Sequence, residues 1–140
     1  RTSMDVGSVR LTERQKGDWA GAAAEIRLNL PDHPAERVLG VDGATAALAA
    51  LGAVTLPRIQ EVLDWLRTST DGERRARLLE PDRSDVIAAG VLIVREVLLW
   101  LGVDRIAPSE RDLLNGVALA AATLPAPAEG DAPPGAYTCC

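Results

Sequence analysis

"VLGVDGATAALAALG", residues 38–52, changes its period part-way along: a short apolar run, a turn holding Gly40, Asp42 and Gly43, then an alanine-rich run with helical spacing. Val38 to Val41 predicts a short buried strand, and Ala44 to Ala53 a helix of small residues that can pack closely. A strand passing through a glycine turn into a helix is the repeating step of α/β folds. The same junction can cradle a phosphate, since glycines let the backbone approach an anion and the helix N-terminus offers unpaired N–H groups. Gly40-Val41-Asp42-Gly43-Ala44-Thr45 matches neither the Walker A pattern nor the dinucleotide GxGxxG. Spacing alone leaves two readings open, an ordinary strand-to-helix turn and a phosphate-binding one.

Outward from this junction the chain reads as helix-rich α/β. On the N-terminal side, "SMDVGSVRLTER" (3–14) is apolar on one face through Met4 and Val6 and on the other through Val9 and Leu11, which predicts a strand with a bulge at Gly7–Ser8. "DWAGAAAEIRLNL" predicts a helix capped by Asp18 and ended before Pro31, and "PDHPAE" a loop. On the C-terminal side, Thr55 caps a helix with Ile59, Val62, Leu63 and Leu66 on one stripe. "ERRARLLE" predicts a short basic helix ending at Pro81. Ser84 is placed to cap a long helix from Asp85 to Leu101, which Gly102 stops. "RIAPSE" reads as extended and "RDLLNGVALAAATL" as a final amphipathic helix, in which Gly116 implies close packing against another backbone. The Pro/Gly/Ala-rich segment 125–140 predicts disorder. That gives about three short strands and about six helices.

Bulk properties bound the rest. At 140 residues, 47% apolar and 25% charged, the chain is long enough for one buried core and too mixed for disorder. A net charge of −5 argues against wholesale nucleic-acid or anionic-membrane binding, so a polyanion would be held locally by arginines or backbone amides. The longest apolar runs, Val86–Val94 and Val97–Leu101, are too short to span a membrane. Of the 15 basic residues only Lys16 is lysine, and Phe is absent, a bias that fits a GC-rich bacterial source. Cys139 and Cys140 are adjacent and terminal, so they build no disulfide framework. The chain opens on Arg1 with no signal-peptide pattern and reads as a piece of something longer.

Few residues offer chemistry. His33, the sole histidine, sits between prolines in a loop, which excludes a histidine-dependent triad and a zinc site and reads as surface. Arg74, Arg75 and Arg77 form either a solvated helix face or an anion patch. Asp42, Asp82 and Asp85 lack metal-ligand spacing, and Trp65 and Trp100 read as core or interface.

Three stretches, in order, resemble the Ppx/GppA phosphatase family of exopolyphosphatases and guanosine pentaphosphate phosphohydrolases. "SMDVGSVRLTER" (3–14) is similar to the family's S-L/V-D-x-G-x-V-R-L-T-E pattern after its Ser-Thr-Glu phosphate loop. "RSDVIAAGVLIVREVLLWLGVDRIAPSERDLLNGVALA" (83–120) resembles its R-x-D-x-I-x-x-G helix and the V-S-D/E-x-x-L-x-x-G segment beyond. "VLGVDGATAALAALG" (38–52) is a looser match. The resemblance implies an actin-like ATPase (ribonuclease H-like) architecture, with residues 1–124 as the second lobe only. It implies hydrolysis of a terminal phosphoanhydride of polyphosphate or guanosine pentaphosphate, with Mg²⁺ and an activating carboxylate, in the cytoplasm. The family's catalytic Glu and glycine-rich loop lie upstream of the segment matched by Ser3, so no catalytic residue and no metal ligand is implied here. Gly40, Gly43 and Thr45 are the implied phosphate-binding residues. The family's later threonine pair is replaced by Ala46-Ala47, its Tyr-Asp…Val-His-Gly stretch is missing before Thr55, and Asp42 would repel phosphate. The alternative reading is a non-catalytic module that self-associates through its last two helices, as a homodimer.

Overall fold

A computed structural model describes residues 5–31, 35–78 and 81–123. It contains helices α1 (Ser8–Gln15) and α2 (Trp19–Asn29), strand β1 (Val38–Gly40), and helices α3 (Gly43–Ala50), α4 (Leu56–Thr68) and α5 (Asp71–Arg77). A 3-10 turn at Pro81–Arg83, helix α6 (Ile87–Leu101), strand β2 (Ile106–Pro108) and helix α7 (Leu113–Thr123) complete the order.

The core is organised around α6. Its buried residues run Ile87 through Leu92 without a break and continue at Val94, Glu96 and Leu98. A helix apolar on most of its circumference can be stable only at the centre of a domain. Helices α1, α2, α3 and α4 all pack on it, bringing Leu11, Ile26, Leu48, Ile59, Leu63 and Leu66 out of water. Gly102, with φ 66°, ends α6 in the left-handed region, as its position in the sequence predicts.

One charge is sealed inside this core. Glu96 is 1% exposed; its Oε2 accepts from Arg27 Nε at 2.6 Å and its Oε1 from Arg95 Nη1. Arg95 Nε donates in turn to Gln60 Oε1 at 2.5 Å, so the network joins α2 and α4 to α6. A buried carboxylate is tolerated only when its lone pairs are met in this way.

The strands form a two-stranded parallel sheet with Val38 opposite Ile106, Leu39 opposite Ala107 and Gly40 opposite Pro108. The two strands are linked by α3 through α6, as a parallel pair requires a long crossover. Residues 53–56 brace the start of β2: Ile106 N donates to Val54 O at 3.0 Å and Leu56 N to Asp104 O at 2.7 Å.

Three sequence expectations are overturned. Residues 8–15 form α1, not a bulged strand. A lone strand there would have no pairing partner, whereas a helix buries Leu11 against the core and lets Thr12 Oγ1 donate to Ser8 O at 2.8 Å. Ser84 does not cap α6, whose first turn follows Val86 without a side-chain cap. Its hydroxyl is buried and donates to Asp71 Oδ1 at 2.5 Å, tying α5 to the approach of α6. Gly116 has no close neighbour among the described residues: a Cβ there would meet none of their atoms within 4 Å. The sequence signal that does operate in α7 is a reciprocal cap, Asp112 N donating to Asn115 Oδ1 at 2.9 Å and Asn115 N to Asp112 Oδ1 at 3.0 Å.

The chain divides between Glu110 and Arg111, so α7 belongs to a second unit. It exposes Leu114 at 73%, Val117 at 58% and Leu119 at 66%. The expectations for His33, the two cysteines and the 125–140 tail lie outside the described residues.

Candidate functional site

The turn that opened the sequence reading forms where it was expected, at the junction of β1 and α3. Gly40 is buried, and the reason it is glycine is local: a Cβ would lie 2.3 Å from Thr45 Oγ1 and 2.4 Å from its Cγ2. Thr45 is 1% exposed and its Oγ1 has no hydrogen-bond partner. Gly43 is the first residue of α3 and half-exposed. Asp42 is the N-cap, its Oδ1 accepting from Thr45 N at 2.7 Å. The carboxylate thus takes the place at α3 that an external anion would otherwise use. By itself this turn is a poor phosphate cradle.

What strengthens it is the company it keeps. A cavity of about 120 Å³ is lined by Ser8 and Val9 from the start of α1, Ala44 from the start of α3, and Val86, Ile87 and Gly90 from the start of α6, with Arg83. Neither α1 nor α6 has a side-chain cap. Two helix N-termini therefore direct unsatisfied N–H groups and positive potential toward the region where α3 also begins. Gly90 permits the approach, since a Cβ there would come within 2.9 Å of Ala44 Cβ and 3.7 Å of Ser8 Cβ. With an arginine added, the arrangement is an anion-binding one.

Reading the sequence one stretch at a time missed Ser8, Arg83 and Ile87. The signal was present, because Arg83, Ile87 and Gly90 are fixed positions of the R-x-D-x-I-x-x-G pattern and Val9 is one in the first stretch. All three stretches that carry the resemblance contribute to this one cavity.

The arginine cluster of α5 has another role. Arg75 Nε binds Asp71 at 2.7 Å, Arg77 lies 4.7 Å over the Trp65 ring, and Arg74 Nη1 and Nη2 donate to Ser84 O and Ser69 O. These cations are turned to the protein's own groups. Among the described residues no cluster of three or more His, Cys, Asp or Glu side chains could hold a metal ion. The one carboxylate at the turn, Asp42, is engaged as a helix cap.

Comparison with known proteins bears on this site. No family model matches the chain. It is 31% identical over 153 aligned positions to Exopolyphosphatase 2 of Mycobacterium tuberculosis, in both strain CDC 1551 / Oshkosh and strain ATCC 25618 / H37Rv. The match takes in 86% of this chain and 48% of each relative. Among solved structures, the Aquifex aeolicus Ppx/GppA phosphatase superposes with a TM-score of 0.71 at 23% identity, covering 85% of this chain and 48% of that one. An exopolyphosphatase-like protein superposes at 0.72 and 24%, covering 84% and 49%. The fold is that of half an actin-like Ppx/GppA protein. The chain belongs with the Ppx/GppA phosphatases and spans about half the length of the relatives it matches. No helix among the described residues is long and apolar enough to cross a membrane.

Proposed function

We propose that this chain is the phosphate-facing second lobe of a phosphoanhydride hydrolase of the exopolyphosphatase type. The carrying observation is the convergence of the α1, α3 and α6 N-termini and Arg83 on one cavity, in a chain whose curated relatives are exopolyphosphatases. On this reading the amides of Ser8, Gly43, Ala44 and Ile87, with the Arg83 guanidinium, hold phosphoryl oxygens. Gly40 and Thr45 shape the turn beneath them. The carboxylate that activates water and the ligands of Mg²⁺ belong to the other lobe, so the chain alone does not turn over. Mg²⁺, when bound there, neutralises charge on the phosphoryl group. Polyphosphate is the substrate class, guanosine pentaphosphate being the family alternative, and the setting is the bacterial cytoplasm.

The reading is tested by titrating the chain with polyphosphate of defined length. Saturable binding that falls with salt, weakens at least about tenfold in Arg83→Gln and tightens in Asp42→Asn supports it. Binding indifferent to both substitutions sinks it. Phosphate release from polyphosphate and Mg²⁺ by the chain alone would show that the catalytic group lies inside it.

A second reading, self-association as a homodimer, is favoured by the exposed Leu114, Val117 and Leu119 of α7. Light scattering decides it. A dimer that Val117→Glu dissociates supports this reading, and a monomer at all concentrations removes it.

A further inference from the structure

We propose that a second cavity, enclosed by the α1–α2 turn, α5 and the start of α6, binds a free α-amino acid with an aliphatic side chain. Its volume is about 140 Å³, close to the roughly 150 Å³ that accommodates benzene in an apolar cavity. Leu11, Trp19, Ala22, Ala88 and Ala89 supply apolar walls. That space and lining suit a branched side chain of valine or leucine size.

The polar lining defines the head group. Most of it is already committed: Thr12 Oγ1 donates to Ser8 O, Gln15 Nε2 to Glu25 Oε2, and Asp18 caps Gly21 N. Three groups are not. Lys16, held in the left-handed region at φ 44°, and Asp85 line the cavity with side chains that make no hydrogen bond or ion pair among the described residues. Arg74, pinned through Nη1 and Nη2 to two carbonyls, keeps a buried Nε–H without a partner. A buried donor left unpaired beside a cavity marks a place where a further group belongs. Two cations and two carboxylates, Asp85 and the helix-capping Asp18, beside an apolar hollow complement a zwitterion. The ligand's carboxylate pairs with Lys16 and Arg74, its ammonium with Asp85, and its side chain fills the hollow. A simple carboxylic acid leaves Asp85 facing a like charge, and a simple amine leaves Lys16 doing so. The site shares no lining residue with the phosphate-side cavity, and the proposal stands independently of it.

Isothermal titration of the full 140-residue chain with L-leucine, isovalerate and isopentylamine tests this. Leucine should bind saturably, with isovalerate and isopentylamine at least about tenfold weaker. Asp85→Asn should weaken leucine at least about tenfold and strengthen isovalerate by removing a like charge, whereas Lys16→Gln should weaken leucine and isovalerate and strengthen isopentylamine. Both side chains are exposed, so the variants keep the fold, and unchanged far-ultraviolet circular dichroism verifies that. No saturable leucine binding at millimolar concentration, isovalerate binding as tightly as leucine, or leucine binding untouched by both substitutions each overturns the proposal.

Discussion

Thr45 stands at the junction of two demands, packing against Gly40 and leaving a buried hydroxyl without a partner. An unpaired buried hydroxyl costs about 1–3 kcal/mol of desolvation, so Thr45→Val, which keeps the shape, should raise the urea midpoint by an amount worth about 1 kcal/mol. If the hydroxyl turns to a phosphate oxygen in the complex, the same variant loses polyphosphate affinity while gaining stability. Gly40→Ala pushes a methyl into the Thr45 side chain and should cost about 1–3 kcal/mol, most of it recovered in the Gly40→Ala/Thr45→Ala double variant. Asp71 has an acidity set by its neighbours: the Ser84 hydroxyl first, then Arg75, hold its carboxyl below the usual range. The Thr70 backbone N–H and then its hydroxyl do the same for Glu73. A depressed folded-state pKa stabilises above the unfolded value and is lost as pH falls through the folded one. Stability should thus be flat above about pH 5 and fall below it, more gently in Ser84→Ala; urea midpoints between pH 6 and 3 measure this.

Elements are decided by what surrounds them. The 3–14 stretch has the alternation of a strand, yet residues 8–15 are helical, packing on α6 and α2 and burying Leu11. Two helix glycines make the same point from opposite sides. Gly→Ala in a helix gains about 1 kcal/mol of propensity. At Gly116, with open space around it, that gain should appear as raised helicity by circular dichroism. At Gly90 a methyl would sit 2.9 Å from Ala44 Cβ, and the overpacking cost of about 1–3 kcal/mol exceeds the gain, so Gly90→Ala should lower the urea midpoint. The anion-binding reading also belongs to this scale: of the three helices only α3 is capped, by its own Asp42, and the uncapped ends of α1 and α6, with Arg83, make the place positive.

For the molecule as a whole, Glu96 is the charge around which α2, α4 and α6 are fastened. Arg27→Ala leaves a carboxylate in the core with one arginine in place of two, whereas Arg58→Ala removes only a surface pair whose members are 57% and 61% exposed. The first should cost about 1–3 kcal/mol and the second less than about 1 kcal/mol by chemical denaturation. A two-stranded parallel sheet that leaves Leu39 66% exposed is physically thin, since parallel sheets are stable when covered on both faces. That fits a chain spanning about half the length of its relatives.

The periodicity of the sequence by itself determined α2, the β1–α3 junction, the α4 stripe, the α6 core helix and its Gly102 stop, and its ordered motifs determined the Ppx/GppA relationship. These are local properties: side-chain spacing, caps and glycine positions act over a few residues and can be read along the chain. Only the tertiary structure decided that residues 8–15 are helical, that Ser84 serves Asp71 and not α6, and that Arg74 donates to Ser84 O and Arg77 lies over the Trp65 ring. Each of these depends on a partner far away in sequence, and a strand's pairing, a hydroxyl's acceptor or an arginine's neighbour is not encoded in spacing. The candidate site divides in the same way. The turn that holds Gly40, Gly43 and Thr45 was legible because its residues are close in sequence, whereas the cavity, which none of the three lines, exists only where the beginnings of three helices, separated by long stretches of chain, are packed together at Gly90.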